Sequence, residues 1–471
     1  MPTEVRAAIV IKFLSFVLAG VIWAAAAQAN TYFVTKFNDT FDGACDSDCS
    51  LREAVQAANL HPGADHVRLG AGTYTLTRPN LRELDDAGNP VPQEDPIHES
   101  DNVLGDLNIK DDLSIMAPFG VGTTVSGGGL DRVFEVLPGV TFNVNNLTIT
   151  GGVASESGGG VYNAGTTTLI NSVIIGNAAE GFRDSGLHPH QGGGILNLGM
   201  LTLLHCEITF NSTFDRNRGE GGDIFNAGTL VMNRSVVAGG TVGDANDTGA
   251  GAGMANTGSA FVTQSLFTAN TADRPNGWGD AILNSGLLEM TNTTVSGNRI
   301  GADGVGVEGG MGAVLNSAEG IVRLSFVTIA NNASGGLRNE GTATVSASII
   351  AGNHYNAFEP EPPDFHGGRN CVNSGTYTSQ NSIVGLDGNC VADIQVDNAT
   401  VFYWLLEPLA LRGGATATHK LKEWSIAVDA IDPSSAPGAC AALDQRSARR
   451  PPNDDGRRGR FCDIGAYELQ Q

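Results

Sequence analysis

The chain has 471 residues, with 27 Lys and Arg against 50 Asp and Glu, and a formal net charge of −23. This excess of negative charge argues against a nucleic-acid-binding protein and against adsorption to anionic lipid, because like charges repel over most of the surface. Glycine accounts for 63 residues, far above the usual ~7%, which one or more glycines in each turn of a repeat would explain.

The chain opens with a predicted secretory signal peptide, residues 1–29. Arg6 and Lys12 form its positive end, residues 13–27 its apolar run, and residues 27–29 read AQA, a small-residue cleavage site. Cleavage removes two cations and one carboxylate, so the net charge changes from −23 to −24. The apolar run is too short to span a bilayer comfortably, and no other run is long enough. We therefore predict a secreted or cell-surface protein without a membrane span in the mature chain.

Residues 30–79 predict a separate N-terminal module. Ser50 and Glu53 have the spacing of a capping box, which starts a helix by satisfying two backbone N–H groups. The helix is predicted over residues 51–58 and has one apolar face. Such a helix can cover the open apolar end of a repeat array.

Residues 80–112 predict an acidic loop, with ten carboxylates against two cations and three prolines. Carboxylates on a loop can bind Ca²⁺, but their spacing here matches no EF-hand. Calcium is therefore the only cofactor that the sequence suggests. We otherwise predict no cofactor, no metal site and no catalytic residue.

Residues 113–353 contain six copies of one gapless repeat. Each copy has an asparagine anchor, glycine two residues later, and apolar residues two before and six and eleven after the anchor. Five of the six also have asparagine fourteen residues after the anchor. A seventh copy, around Asn316 and Asn331, carries a one-residue insertion. The anchors are Asn163, Asn197, Asn226, Asn256, Asn284 and Asn339.

This repeat predicts an all-β fold, a right-handed parallel β-helix with a short N-terminal capping helix and an irregular C-terminal capping region. Apolar positions alternate with polar ones, as strands require, and a right-handed crossover is the default for parallel strands. Glycine after each anchor fits a turn with positive φ, and stacked asparagines can hydrogen-bond from coil to coil. The leucine-rich-repeat spacing is missing, and a β-propeller would need hairpins.

The seven cysteines indicate an oxidising compartment. Cys206 stands nine residues after an anchor, where the other copies have Ser or Thr, so a catalytic thiol is not expected. Connectivity cannot be proved from sequence. By proximity alone, the pairs are Cys45–Cys49, Cys371–Cys390 and Cys440–Cys462.

The segments between the coils vary from 7 to 20 residues while the coil length stays fixed. The insertions therefore leave the helix on one side, which is either a binding face or tolerated surface variation. They contain Arg183, Asp184, His188, His190, Asp215, Arg216, Arg218, Asp273, Arg274 and Trp278.

One column offers a candidate catalytic fragment. Eight residues after successive anchors stand His205 and Arg234, with Glu207 close by. A glycosidase needs two carboxyl groups in reach of one bond, and no two acids adjoin these residues in that column. The alternative is a solvated surface pair.

Residues 354–400 read as an irregular segment that carries the Cys371–Cys390 candidate pair, and residues 401–471 as a C-terminal domain. Six arginines lie between residues 446 and 460. They either dock on an anionic polysaccharide or pair with Asp444, Asp454, Asp455 and Asp463.

Two stretches resemble known domains of exported bacterial proteins. Residues 49–55 read CSLREAV, residues 71–76 AGTYTL and residues 105–109 GDLNI; they resemble the CSLREA domain. Residues 408–410 (PLA), 427–430 (AVDA), 444–446 (DQR) and 462–468 (CDIGAYE) resemble the choice-of-anchor Q domain. The resemblance implies a β-helix of the pectin-lyase-like superfamily, with residues 30–79 as its N-terminal cap and residues 401–471 closing it.

Three functions remain open. The first is a non-enzymatic secreted or cell-surface protein for adhesion, surface display or glycan binding, which we expect to be a monomer. The second is a polysaccharide lyase or glycoside hydrolase of the pectin-lyase-like superfamily. The third is a structural matrix component. A fold of this kind hosts many functions, so only a site can decide among them.

Overall fold

The computed structural model describes residues 28–79, 102–155, 157–180, 190–214, 219–243, 249–272, 279–300, 312–354, 369–434, 440–450 and 461–470. Three long sheets, called here sheets 1, 2 and 3, run side by side along the molecule, and their strands pair in parallel and in register. The chain passes through sheet 3, then sheet 1, then sheet 2 in each repeat. The predicted right-handed parallel β-helix is confirmed. The signal peptide and most of the acidic loop lie outside the described residues.

The strands of each sheet follow one another in chain order. Sheet 1 consists of Thr31–Phe33, Asp65–Arg68, Leu113–Met116, Thr141–Asn145, Thr166–Ile170, Met200–Leu204, Thr229–Asn233, Ser259–Thr263, Leu287–Thr291, Ile321–Ser325, Thr342–Ser346 and Thr376–Gln380. Sheet 2 consists of Gly72–Thr75, Thr123–Ser126, Thr148–Thr150, Val173–Ile175, Glu207–Thr209, Val236–Ala238, Leu266–Thr268, Thr294–Ser296, Thr328–Ala330, Ile349–Ile350, Ile383–Gly385 and Ile394–Val396.

Sheet 3 and two shorter sheets complete the coils. Sheet 3 consists of Leu107–Ile109, Phe134–Val136, Val161–Asn163, Ile195–Asn197, Ile224–Asn226, Met254–Asn256, Ile282–Asn284, Val314–Asn316, Leu337–Asn339 and Cys371–Asn373. Sheet 4 consists of Val153–Ala154, Ala178–Glu180, Ser212–Phe214, Thr241–Val242, Thr271–Ala272 and Arg299–Ile300. A fifth sheet pairs His190–Gln191 with Gly219–Glu220. The insertions leave the helix beside sheet 4, on one side as predicted.

The anchor asparagines form a continuous buried ladder. Nδ2 of Asn163 donates to Oδ1 of Asn197 at 2.7 Å, and Asn197 donates in the same way to Asn226 at 2.6 Å. The chain of amides continues through Asn316 to Asn373. Each amide therefore satisfies its neighbour in an interior where an unpaired polar group would be costly.

The glycine after each anchor is required for a different reason from the one predicted. These glycines do not have positive φ. A Cβ added to Gly199 would lie 2.0 Å from the carbonyl oxygen of Gly165, and one added to Gly228 would lie 2.0 Å from that of Gly199. Glycine is needed because adjacent coils approach each other closely at this turn.

The N-terminal helix spans Leu51–Leu60 and begins with the predicted capping box, in which Ser50 and Glu53 bond each other's backbone N–H groups. Arg52 is fully buried beneath it. Its guanidinium bonds Asp39 at 2.7 Å and donates to backbone carbonyls that include those of Leu104 and Gly105. Arginine at this position therefore ties the helix to residues 102–106, the described end of the acidic loop.

Two details of the coil register differ from the sequence prediction. In the seventh copy, Asn332 and not Asn331 joins the ladder that stands fourteen residues after the other anchors. Its Oδ1 accepts a hydrogen bond from Nδ2 of Asn298, and its Nδ2 donates to Oδ1 of Asn353. Residues 371–385 are not irregular, because they form a further coil with strands in sheets 3, 1 and 2. The repeat pattern of that coil is hard to recognise in the sequence, because Tyr377 and Ser379 occupy interior positions in place of aliphatic residues.

The C-terminal segment, residues 398–470, starts with a 3-10 turn, Asn398–Thr400, and a π-helical turn, Val401–Leu405. It then turns back along the outer face of sheet 2 and packs there through a second apolar cluster that includes Phe326, Ile349, Leu421 and Ile464. The predicted C-terminal capping region therefore covers a flank of the helix as well as its end. Disulfides join Cys45 to Cys49, Cys371 to Cys390 and Cys440 to Cys462.

Candidate binding face

The outer side of sheet 1 is formed by strands of up to five residues, the longest in the described sheets. Its eight strands from Thr166–Ile170 to Thr376–Gln380 pair residue by residue without a bulge. Alternate side chains point into the core and outward. We call the outward set the sheet-1 face: Thr166, Thr168, Ile170, Met200, Thr202, Leu204, Thr229, Val231, Asn233, Ser259, Phe261, Thr263, Leu287, Glu289, Thr291, Ile321, Arg323, Ser325, Thr342, Thr344, Ser346, Thr376, Thr378 and Gln380.

The sheet-1 face carries almost no net charge. Of its 24 side chains, 13 are Thr or Ser, seven are apolar and two are amides. The remaining two, Glu289 and Arg323, lie on adjacent strands and form an ion pair. The formal net charge of the whole chain is −23, so nearly all of its carboxylates lie away from this face.

The face is open to solvent and chemically mixed. Thr342, Thr344, Thr376 and Thr378 are exposed at one end, and Met200 and Ile321 remain exposed among their neighbours. A threonine presents a hydroxyl that donates and accepts together with a methyl group. Strands spaced about 4.8 Å apart repeat that pair of groups along the helix axis. The arrangement is suited to a long ligand with alternating hydroxyl and C–H surface.

The sequence itself contains a signal for this face. The positions three, five and seven residues after each anchor are nearly free of charge in every copy. The buried positions between them decide the fold. An outward column has no packing requirement, so its lack of charge is informative about function.

The candidate catalytic fragment is not assembled. His205 is exposed and no contact joins its side chain to Arg234. Instead, Arg234 donates to Oε1 of Gln264 at 3.1 Å and to Oγ of Ser447 at 2.7 Å. The column was predicted to face outward, and it does, but the C-terminal segment covers it from Arg234 onward.

Polar side chains fasten the C-terminal segment to that column and to sheet 2. Nε2 of Gln264 donates to the carbonyl of Asp444 at 2.7 Å, and Nδ2 of Asn292 donates to that of Leu443 at 2.8 Å. The hydroxyl of Thr294 donates to Oε1 of Gln445 at 2.6 Å. These groups are buried and satisfied, which is the condition for a stable polar interface.

The same interface contains a serine–histidine contact. Oγ of Ser296 lies 2.9 Å from Nε2 of His419, whose Nδ1 lies 2.7 Å from the carbonyl oxygen of Glu407. Both side chains are buried, and burial lowers the pKa of His419 to about 4. A nucleophile requires access to its substrate, so this pair is part of the interface.

Of the inter-coil residues proposed for a binding face, His190 is described, and it is buried with Nε2 at 3.1 Å from the carbonyl of Ser155. Arg183, Asp184, His188, Asp215, Arg216, Arg218, Asp273, Arg274 and Trp278 lie outside the described residues. In the arginine-rich tail, the acid-pairing alternative holds for Arg446, which contacts Asp444 at 2.6 Å.

Asp106, from the predicted acidic loop, lies in a compact charged cluster beside sheet 3. Its carboxylate contacts Nε of Arg132 at 3.1 Å and accepts from Nδ2 of Asn108 at 3.2 Å. Burial raises the pKa of Asp106 well above its ordinary value. The neighbouring Arg132 lowers this pKa, while Asp131 and Glu135 raise it. A carboxyl group with a raised pKa near a second carboxyl group is one requirement of a glycosidase.

Within the described ranges, no group of three His, Cys, Asp or Glu side chains is arranged to hold a metal ion. Nor does any described helix combine the length and apolar character needed to cross a membrane.

Cys206 occupies a second ladder, made of hydroxyl groups. In neighbouring coils, Ser235 and Ser265 donate to the carbonyl two residues back at 2.9 and 2.7 Å, and Ser235 also accepts from the N–H of Cys206 at 3.0 Å. Sγ of Cys206 lies 3.2 Å from the carbonyl of Leu169. Burial raises the pKa of this thiol to about 11, so it stays protonated and unreactive.

We expect Cys206→Ser to leave the free energy of unfolding within about 1 kcal/mol of wild type, because serine completes the hydroxyl ladder. Cys206→Val removes the donor and should lower the free energy of unfolding by about 1–3 kcal/mol. Urea unfolding followed by circular dichroism measures both. Equal destabilisation by serine and valine would contradict a hydrogen-bonding role for this position.

The buried carboxyl group of Asp280 makes the free energy of unfolding depend on pH. Burial raises the pKa of its carboxyl group to about 7, against a smaller opposite effect of the Ser334 hydroxyl. The folded state therefore holds a proton that the unfolded state releases near pH 4, and this contribution to stability is lost as pH rises from about 4 to about 7.

Asp280→Asn is expected to abolish this pH-dependent loss of stability. Its free energy of unfolding should be about 1–3 kcal/mol higher than that of wild type at pH 8 and nearly equal to it at pH 4. Urea midpoints across this range test it. The control is Glu319→Gln, an exposed carboxylate on a turn. Parallel pH curves for wild type and Asp280→Asn would show that the buried carboxyl does not retain its proton.

Comparison with known proteins gives distant likenesses only. No family model and no curated protein matches the chain. The chain is similar to the crystal structure of pectate lyase Pel9A, at 13% identity over 95% of this chain and 98% of that one, with a TM-score of 0.35. It is also similar to ORF18 of Geobacillus virus E2, at 10% identity over 78% of this chain and 57% of that one, with a TM-score of 0.24. These scores are too low to bear on function, and the CSLREA and choice-of-anchor Q likenesses stay predictions.

Proposed function

We propose that the protein is an exported, non-catalytic binding protein whose sheet-1 face holds an extended, uncharged polysaccharide. The observation that carries the proposal is the composition of that face, in which Glu289 and Arg323 are the two charged side chains and neutralise each other. Three disulfides and the predicted signal peptide favour export, since disulfides persist in oxidising compartments.

The chemistry of the face favours a neutral glycan over an anionic one. Hydroxyls and amides can exchange hydrogen bonds with sugar hydroxyls, while methyl groups, Met200 and Phe261 can cover their C–H surfaces. An acidic polysaccharide would need unpaired cations, and the cation of the sheet-1 face, Arg323, is paired with Glu289. The overall negative charge would repel such a polymer further.

The test is co-sedimentation of the protein with insoluble neutral polysaccharides, with soluble polygalacturonate as the anionic comparison. Thr202→Lys and Thr344→Lys place unpaired cations on separate coils of the sheet-1 face. We expect each to weaken binding to the neutral polymer by about tenfold, because a lysine must be desolvated without a partner. Thr150→Lys, on the outer side of sheet 2, is the matched control and should bind like wild type.

Binding that is equal in all three variants would place the recognition surface elsewhere. Retention on polygalacturonate but on none of the neutral polymers would overturn the neutral-glycan proposal.

A second candidate, a polysaccharide-cleaving enzyme, is favoured by the cluster of Asp106, Glu135 and Arg132. In it, burial raises the pKa of the Asp106 carboxyl group near a second carboxyl group, that of Glu135. Release of new reducing ends by wild type, and its loss by more than about a hundredfold in Asp106→Asn, would support this candidate. Cleavage that persists in Asp106→Asn would remove the cluster from consideration.

A further inference from the structure

A second surface lies on the C-terminal segment, on a hairpin that packs against the outer face of sheet 2. Leu406 bridges Leu421, and Ala410 bridges Thr418, in antiparallel fashion. The N–H of Lys422 donates to the carbonyl of Leu405 at 3.0 Å. This pairing brings the residues that precede 405 and those that follow 422 to the same end of the hairpin.

That end of the hairpin presents three aromatic rings and an isoleucine to solvent. Tyr403 is 68% exposed, Trp404 55%, Trp424 64% and Ile426 54%. Both tryptophans in the described residues lie here. Their immediate neighbours, Leu405, Ser425 and Ala427, are buried, so the backbone is fixed while the large side chains face outward. Exposed clusters of large apolar side chains mark interaction sites.

The charge around these rings differs from that of the whole chain. Residues 401–426 contain three cations and two carboxylates, against a formal net charge of −23 for the whole chain. Arg412 and Lys420 share Glu407, at 2.9 and 3.5 Å. Lys422 follows directly on the paired residue Leu421, and the exposed Glu423 stands between it and Trp424. Aromatic side chains beside lysine are the composition that settles at the interface of a lipid bilayer.

The geometry of the rings favours a lipid surface over a sugar chain as the ligand of this site. The rings of Tyr403 and Trp404 lie 4.4 Å apart between centroids, with an interplanar angle of 85°. Two perpendicular rings cannot both lie flat on successive sugars of one polymer. A bilayer interface imposes no common plane, because each ring only has to place its apolar body inward and its polar N–H or O–H toward the headgroups.

We propose that Tyr403, Trp404, Trp424 and Ile426 insert into the interfacial region of a lipid bilayer and hold the exported protein on a membrane surface without spanning it. Lys422 then faces the lipid phosphates. This contact is independent of polysaccharide binding by the sheet-1 face, because the two surfaces share no residue.

Binding of the protein to anionic vesicles should depend on ionic strength in an unusual way. In dilute salt the whole acidic protein is repelled by an anionic vesicle, since the screening length exceeds the distance to most carboxylates. At physiological salt the screening length falls to about 8 Å, so only the charges of the hairpin act on the surface. Partition onto anionic vesicles is therefore expected to rise with added salt, opposite to the behaviour of a polybasic protein.

The experiment is co-sedimentation of the exported protein with vesicles of phosphatidylcholine, alone and with added phosphatidylglycerol. Tryptophan fluorescence in a Trp278→Phe background, with brominated phosphatidylcholine as quencher, reports insertion of Trp404 and Trp424. The double substitution Trp404→Ala and Trp424→Ala is expected to weaken partition by about tenfold or more. Phe119→Ala removes an aromatic ring that is 79% exposed far from the hairpin and should partition like wild type.

Circular dichroism of each variant checks that the β-helix is intact. Failure of wild type to partition onto either vesicle, or equal partition by wild type and the double variant, would overturn the proposal. Loss of polysaccharide binding in the double variant, without any vesicle binding by wild type, would instead assign the rings to a glycan site. Thr202→Lys and Thr344→Lys, the lysine variants of the sheet-1 face, should partition onto vesicles like wild type. A failure of the membrane proposal can therefore be distinguished from a failure of the polysaccharide proposal.

Discussion

Asp223→Gly is expected to lower the free energy of unfolding by about 3–5 kcal/mol, whereas Asp223→Asn should raise it at neutral pH. Asp223 completes the ladder of asparagines that stand fourteen residues after the anchors. That column contains Asn177, Asn211, Asn270, Asn298 and Asn353 but is interrupted by Gly240. The carboxyl group of Asp223 enters the same space, because a Cβ on Gly240 would lie 2.6 Å from Oδ2 of Asp223.

The hydrogen bonds identify Asp223 as a substitute for the missing amide. Its Oδ1 accepts from the backbone N–H of Asn211 at 3.1 Å and from Nδ2 of the same residue at 2.8 Å. In the preceding coil, Oδ1 of Asn211 accepts from Asn177 in the same two ways. Removing the Asp223 side chain would leave the backbone N–H of Asn211 buried without this acceptor, which is the costly outcome for a hydrogen bond. Nδ2 of Asn211 would keep only its bond to the carbonyl of Ile174, at 3.0 Å.

The pH dependence distinguishes the two substitutions. Burial raises the pKa of Asp223 well above its ordinary value, against the hydrogen bonds from Asn211, which lower it. The free energy of unfolding is therefore expected to fall as pH rises above the ordinary carboxyl pKa of about 4. Asparagine keeps the shape and the Oδ1 acceptor but has no proton to lose. Urea unfolding at several pH values measures both variants, with Glu319→Gln as the surface control. Equal stability of Asp223→Asn and Asp223→Gly would disprove the role in the ladder.

Arg450→Ala is expected to lower the free energy of unfolding by about 3–5 kcal/mol, because it leaves a carboxylate buried and unpaired. Arg450 is buried under the C-terminal segment. It contacts Glu468 at 3.0 Å, donates to the carbonyl of Gly465 at 2.7 Å, and lies 4.5 Å from the centroid of the Phe326 ring. One side chain thus joins two parts of the segment to the coil beneath.

We expect Arg450→Ala to destabilise the C-terminal segment before it destabilises the coils. The N–H of Gly465 donates to the carbonyl of Ala347 across this interface, and those of Gln445 and Ile464 donate to carbonyls within the segment. Amide exchange in these three residues is expected to accelerate well before exchange within the coils. Arg323→Ala is the matched control, since its pair with Glu289 is exposed and such pairs contribute at most about 1 kcal/mol. If Arg450→Ala accelerated exchange uniformly along the chain, the segment and the coils would form one cooperative unit.

The sequence alone determined the coil. Its buried positions recur at fixed distances from the anchors, and each strand stacks on the same strand of the next coil, so the repeat unit contains the information for its own packing. The asparagine ladder, the capping box of Ser50 and Glu53, and the replacement of a hydroxyl by Cys206 were all readable for that reason. The glycine two residues after each anchor was read correctly as structural, although its cause is close approach rather than positive φ.

Only the tertiary structure decided where the non-repeating parts lie. Gln264 meets Asp444 and Thr294 meets Gln445 across 180 and 151 residues, and no period connects such partners. Their contact covers the column of Arg234, which the sequence left open as a catalytic fragment. The further coil at residues 371–385 and the substitution of Asp223 for an asparagine were also hidden, because each keeps the geometry of the repeat with different residues. A repeating sequence specifies the contacts between its own copies, whereas a single long-range contact leaves no pattern in the chain.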